Sequence, residues 1–498
     1  MEKFSKNIVS ILSIGILSVL TIFNLFFIVT VTNFAENVLI EYTTSIGLTI
    51  MLVLDIILLY ILKFLNRSFK INYKVILICA IIIYATISIM WVNNSKIEPI
   101  DDSKSVNDLA ICLASGDKES IRNSEYIEKY PNQIGMITIF AFFYKIFGTT
   151  NFRLIQYLNI IANILTIIFG YFILEKLSKR YNINKFAYFG IIMTFIPFIM
   201  LTTYVYGDYI GLSFSVIGIY FIIDYKETNK FYKFIISSLF MSIAYFVKMN
   251  YIIVTIAILI YLILYLIQEK DKKKIGQSVI SIIVFILIAI LPFSIVKKIW
   301  SNKYEYKAEQ AIPTSVWIYL GMSESYRANG WYSDLAGEAW VDTPNAHYTY
   351  PKKIKARIQE LIKHPVYTFK FYVKKTISGW SDPYFQSLWY NVRVENKDEN
   401  MQNIVNRKIY KIGAIYQKAC INLIYLGALI GVLANRKKMS HEFILLLTIF
   451  IGGILFHTIW EMKSRYTLPY ILMLIPISTI GIQEIVKKIK FREIGEIK

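Results

Sequence analysis

The chain has little cysteine and little charge. Three cysteines (Cys79, Cys112, Cys420) stand in 498 residues, and no CxxC pair occurs. That pattern excludes a disulfide framework. Only Cys112 falls in an expected loop, so no structural disulfide is expected. Charged residues make up 18% of the chain, against about a quarter in a soluble protein. Four histidines (His347, His364, His441, His457) form no HExxH or other ligand spacing. There is no GxxxxGK[ST] loop and no dinucleotide-binding glycine fingerprint, which argues against an ATP-driven pump or a dinucleotide enzyme. No inverted repeat is apparent, which weakens a transporter reading. No stretch between apolar runs could house a soluble cytoplasmic domain, so a nucleotide-sugar donor has no obvious place to bind.

What the chain has instead is apolar length. Hydrophobic residues reach 56%, mean hydropathy is +0.49, and runs of eighteen or more recur. These features exclude a soluble globular protein and predict an all-α polytopic membrane protein. About 12 transmembrane helices are expected: 8–31, 44–62, 73–92, 153–174, 186–204, 208–223, 232–247, 250–267, 277–296, 412–433, 442–459 and 466–485. The spans 208–223 and 232–247 are short enough to be tilted or broken. The first run has no small-residue cleavage site, so it reads as a retained helix.

Charge sets the expected orientation. With a cytoplasmic N-terminus, the inside segments hold 25 Lys and Arg and the short outside connections hold 3. This is a strong positive-inside bias. It puts both termini in the cytoplasm of a cell-membrane protein. It also assigns the net charge of +20 to basic loops beside membrane lipid, with no nucleic-acid partner. Two outside segments are long, about 93–152 and 297–411. In the first, Ile134–Phe147 is too short to cross and reads as an interfacial helix. In the second, Ile354, Ile358, Leu361 and Ile362 recur at helical spacing between lysines. They predict a helix or helix pair near the outer headgroups, or a solvated face of a small external domain.

Charge beside a membrane is costly, so the acidic and basic residues at the outer rim are the candidate site. Asp101 and Asp102 follow Pro99 beyond the third helix. A carboxylate there could take the proton of an acceptor hydroxyl, although a turn or helix cap uses the same residues. Asp208 opens the sixth helix, as a cap or as a functional acid. Lys248 sits between two spans, either snorkelling or meeting a lipid phosphate. Arg465 and Arg153 begin helices in the same plane, where Arg suits phosphate or anchors the interface. The six map to one outer interface. Asp55 lies apart, inside the second helix.

In their order along the chain, these stretches resemble the C-type membrane glycosyltransferases. The resemblance is closest to the bacterial group related to protein O-mannosyltransferases and lipid A aminoarabinose transferases, glycosyltransferase family 39. It is carried by EPIDDSKSVNDLAICLASGD, YPNQIGMITIFAFFYKIFG, NFRLIQYLNI, TYVYGDY, FVKMN and SRYTLPYILMLIP. It covers residues 93–300 and the last helix. Two helices (1–72) precede a core of 73–296; an external loop region (297–411) and C-terminal helices with a basic tail (412–498) follow. The resemblance implies transfer of a sugar from a polyprenyl-phosphate donor to a cell-envelope acceptor: glycan, teichoic acid, lipid or protein. It implies Asp102 as the base, with Asp101 the alternate. Lys248, Arg465 and Arg153 would hold the donor phosphate. Asp208 would shape the acceptor site or assist a divalent cation; no other cofactor is implied. The competing expectations are an O-antigen-type polymerase or ligase, and a flippase or transporter of lipid-linked oligosaccharide.

Overall fold

The computed structural model describes residues 2–32, 35–68, 72–95, 97–181, 183–395 and 407–489. The first helix, α1 (Glu2–Phe26), runs into a hairpin of β1 (Phe27–Val31) and β2 (Val38–Tyr42) and then α2 (Ser45–Ser68). Next come α3 (Tyr73–Asn94) and the first long loop, with α4 (Asp101–Ser115), α5 (Lys118–Arg122), α6 (Glu125–Lys129) and α7 (Ile134–Phe147). The middle of the chain gives α8 (Arg153–Tyr181), α9 (Phe186–Thr194), α10 (Ile196–Met200), α11 (Asp208–Thr228), α12 (Phe231–Val247), α13 (Ile252–Gln268) and α14 (Lys272–Tyr304). The second long loop holds α15 (Thr314–Gly321), α16 (Leu335–Val341), α17 (Thr343–Lys363), α18 (Pro365–Trp380) and α19 (Ser387–Glu395). Three long helices follow: α20 (Lys408–Asn435), α21 (His441–Ile459) and α22 (Ser464–Lys488).

Among the described residues, ten helices are long and apolar enough to cross a membrane, or eleven if α9 and α10 form one span. Each expected span coincides with a helix. The difference from twelve is α12, whose 17 residues extend only about 26 Å. Three details depart from expectation. The first run does not stay helical to residue 31. Ile28, Val29, Thr30 and Val31 are β-branched, stiff at χ1, and pair as a strand instead. The span expected at 208–223 is a full 21-residue helix; the broken one is 186–204. The 33-residue α14 is about 50 Å long, far more than the hydrocarbon core needs. Cys112 lies on α4 of the first long loop, outside the spans, and all three cysteines are free thiols.

Pro197 explains the break. It supplies no N–H to a helix interior and sits in the first turn of α10, which bends 58° away from α9. A broken span leaves carbonyls that lipid cannot satisfy. Helix α8 supplies the donors from one face. Gln156 donates to the carbonyls of Ile97 (3.0 Å) and Thr203 (2.9 Å), and Asn159 to those of Thr202 (3.1 Å) and Tyr204 (2.9 Å). One helical step deeper, Asn163 donates to Phe198 (2.9 Å). This ladder fixes the irregular chain from Leu201 to Gly207 that delivers Asp208.

Elsewhere the helices approach closely through small residues. A Cβ on Gly481 of α22 would lie 1.7 Å from the Gly427 carbonyl oxygen of α20, so those backbones touch. The two long loops interlock at one end of the bundle. The Ile312 N–H donates to the Lys129 carbonyl (3.0 Å), and Lys129 Nζ donates to Thr343 Oγ1 (2.7 Å). The second loop has a small core of its own around Val316, Leu320 and Tyr350. The expected helix pair there is α17 and α18, divided at Pro365. Leu361 is buried, while Ile358 and Ile362 remain exposed.

Candidate active site

Asp208 opens α11 where the broken span ends. Both of its oxygens are taken. Lys248 Nζ donates to one, and Arg465 Nη1 donates to the other at 2.6 Å. Lys248 stands between α12 and α13, and Arg465 in the first turn of α22. Three chain segments thus end on one carboxylate. Four tyrosines collar the cations: the Arg465 guanidinium lies 4.4 Å from the Tyr204 ring centre and 5.0 Å from that of Tyr466. Lys248 Nζ lies 5.0 Å from the Tyr206 ring, and Tyr390 completes the collar. Rings facing a cation add attraction that grows as water is excluded. Arg465 Nε has no hydrogen-bond partner among the described residues.

A second buried carboxylate sits beside this triad. Glu36, from the turn of the hairpin, accepts from Lys463 (2.8 Å), Arg327 (2.6 Å) and Gln386 (3.0 Å). Burial opposes its charge, but Lys463 and Arg327 prevail and hold its carboxyl below the usual range. The hairpin is tied down further by the Val38 N–H, which donates to the Arg327 carbonyl at 2.9 Å.

Asp102 differs from both. It is open to solvent and makes no ion pair within 4.0 Å among the described residues. Its carboxyl is nonetheless raised above the ordinary carboxylate value. Desolvation by the surrounding protein raises it, and the nearby charges of Lys463 and Arg465 pull it down without prevailing. The Tyr126 hydroxyl adjoins it and makes no hydrogen bond elsewhere among the described residues. Asp101 precedes it at φ 48°, in the left-handed region that non-glycine residues rarely adopt and that gathers at functional sites. Asp101 is exposed, and its negative charge raises Asp102 further.

The structure therefore brings together Asp102, Asp208, Lys248 and Arg465. It does not bring in Arg153, whose side chain joins none of these ion pairs although it starts α8 at the same end. Sequence reasoning missed Glu36, Arg327, Lys463 and Glu461. Of these, Glu461 and Lys463 had a signal: they alternate with Arg465 in EMKSR. Glu461 is buried, its Oε1 has no partner among the described residues, and burial pushes its carboxyl up to about 7. Its backbone N–H donates to the Trp317 carbonyl at 2.9 Å. The nearby Lys375 hangs from three backbone carbonyls, those of Gly321, Thr458 and Trp460.

A divalent cation does not fit these residues. Asp208 has no free oxygen, and among the described residues no group of three or more His, Cys, Asp or Glu is gathered as ligands. No step below passes through a metal.

Fold and site together define a polytopic helical membrane protein with a charged chamber at one end of its bundle. Residues 3–485 match the family described as "conserved hypothetical integral membrane protein", and the chain belongs to it. No curated protein matches the chain.

Proposed function

We propose that this protein is a membrane glycosyltransferase that passes a sugar from a polyprenyl-phosphate donor to a cell-envelope acceptor on the outer face of the cell membrane. The N- and C-termini are then cytoplasmic. One observation carries the reading: Asp102 is a solvent-open carboxylate without an ion pair among the described residues, set beside four cations, Lys248, Arg465, Lys463 and Arg327, that share only two carboxylates, Asp208 and Glu36. A base must be free to accept a proton and basic enough to hold it. Asp102 makes no ion pair among the described residues, and desolvation by the surrounding protein raises its carboxyl.

In the reaction the acceptor hydroxyl gives its proton to Asp102. Its oxygen bonds to the anomeric carbon, and the bond from that carbon to the phosphate oxygen breaks, leaving its electron pair on the phosphate. The anomeric centre inverts. Charge growing on the leaving phosphate meets Arg465, with its spare Nε–H, and Lys248 and Lys463 beside it. Such prealigned charge is the largest single aid to transfer. The test is transfer of a radiolabelled sugar from polyprenyl phosphate by the protein in liposomes, compared with Asp102→Asn. Equal rates would reject the assignment.

A second reading, a flippase of lipid-linked oligosaccharide, is favoured by Asp55. This carboxylate is buried within α2, accepts only from Asn422 Nδ2 (2.6 Å), and leaves Oδ1 without a partner among the described residues. Intramembrane acids often mark transport paths. Flipping without transfer in the same liposomes would select it.

A further inference from the structure

We propose that the acceptor is a saccharide whose ring stacks on Trp317 and Trp340 while its attacking hydroxyl reaches Asp102. This rests on the transferase reading and narrows its acceptor from four classes to one.

The argument begins at Asp102. The Tyr126 hydroxyl adjoins it, and the Tyr332 ring lies 5.9 Å from Lys463 Nζ. From there an aromatic wall leads outward. The Tyr130 ring centre lies 5.2 Å from that of Tyr126, 6.0 Å from Trp317 and 5.3 Å from Trp340. Trp317 is tied to the chamber through its carbonyl, which accepts the Glu461 N–H. Both indoles are only half-buried, and neither indole N–H has a hydrogen-bond partner among the described residues. Buried tryptophan usually finds such a partner. Here, among the described residues, two donors have none, at the rim of a cluster of tilted aromatic rings.

A pyranose ring asks for that combination. One face presents C–H bonds, which need a flat apolar partner; its rim presents hydroxyls, which need donors and acceptors. The wall provides the indole faces. At its inner edge stand two polar atoms, Glu461 Oε1, which has no partner among the described residues, and the Tyr126 hydroxyl, which has none there beyond the adjoining Asp102. Buried polar atoms are normally satisfied, so orphans on one path call for a polar guest. Other guests fit worse. A cationic ligand would meet Arg327, Lys463, Arg465 and Lys248 nearby. A lipid acceptor would need an apolar groove reaching Asp102. The cavity of about 370 Å³ beneath the hairpin, between Val29, Leu39, Trp389 and Ile415, borders neither Asp102 nor the wall.

The test uses the full-length protein in detergent with a polyprenyl-phosphate sugar donor and three acceptors: chitotetraose, a Ser/Thr peptide and diacylglycerol. Transfer should go to the saccharide. Trp340→Phe, which keeps most of the packing, should raise KM for chitotetraose about tenfold and leave kcat within about twofold. A merely structural role would lower kcat and thermal midpoint without that split. Trp317→Phe is the second variant, should the first fail to fold. Transfer to peptide or diacylglycerol but not to the saccharide, with KM untouched by both variants, overturns the inference and leaves the transferase standing. Tryptophan quenching by chitotetraose that is lost in the variants, with no transfer to any acceptor, upholds the saccharide site and removes the transferase.

Discussion

The two ends of the helical bundle carry similar charges and use them differently. At the end where α8, α11 and α12 meet, Lys176 bridges Asp224 (2.5 Å) and Glu227 (2.7 Å), Lys179 reaches Glu227 (2.8 Å), and Lys233 closes on Asp224. Each of those carboxylates has a lysine. At the opposite end Lys248 and Arg465 share Asp208, and Lys463 and Arg327 share Glu36. There, however, two more carboxyls, Asp102 and Glu461, stand near the cations and pair with none of them within 4.0 Å among the described residues. The first network is closed and ties α8, α11 and α12 together. The second has acids left over, and leftover buried or half-enclosed acids are what proton transfer uses.

The sharpest way to break this contrast is Asp102→Asn. Transfer should fall about 1,000-fold, measured as label moved from the polyprenyl-phosphate donor, with the protein's thermal midpoint unchanged. Next comes Asp208→Ala, which leaves Lys248 and Arg465 without a counter-charge. Removing one partner of a buried pair costs about 3–5 kcal/mol, so thermal unfolding in detergent should drop markedly. Asp224→Ala at the closed end should cost only about 1 kcal/mol, because lysines near a helix end can turn to solvent. Equal losses at the two ends would erase the distinction.

A smaller effect tests the link between the two carboxylates of the chamber. In Glu36→Gln, Lys463 loses its counter-charge and bears more strongly on Asp102. A less balanced cation favours the ionised form, so the Asp102 carboxyl should fall. Activity requires that form. The acid limb of the pH–rate profile should therefore move to lower pH, by about half a unit to one unit. A limb that stays put would separate Glu36 from the base. Arg153→Ala should be the mildest change, under about twofold in rate, because its side chain lies outside the ion pairs.

The span pattern was legible because twenty apolar residues in a row have few alternatives. The short helix at Ile134–Phe147 was legible for the same reason: 14 residues cannot cross. The end of the first helix was not, since Phe27–Val31 is as apolar as the helix before it and only pairing with Val38–Tyr42 makes it a strand. The Asp208, Lys248 and Arg465 convergence could be anticipated from their shared depth. Their saturation of one another could not, because depth says nothing about direction around a helix. Glu36 and Arg327 were invisible, being 291 residues apart in the chain and joined only by the hairpin's descent onto the second loop.

The sequence by itself determined a helical membrane protein and the depth of its charged residues, since each follows from local hydropathy; that the span 186–204 breaks at Pro197 emerged only from the structure. Which carboxylate stays free was decided by the tertiary structure. The acids at this end of the bundle look alike in one dimension, and only the folding together of the hairpin, the two long loops and three helix ends gives Asp208 and Glu36 their cations and leaves Asp102, among the described residues, without an ion pair.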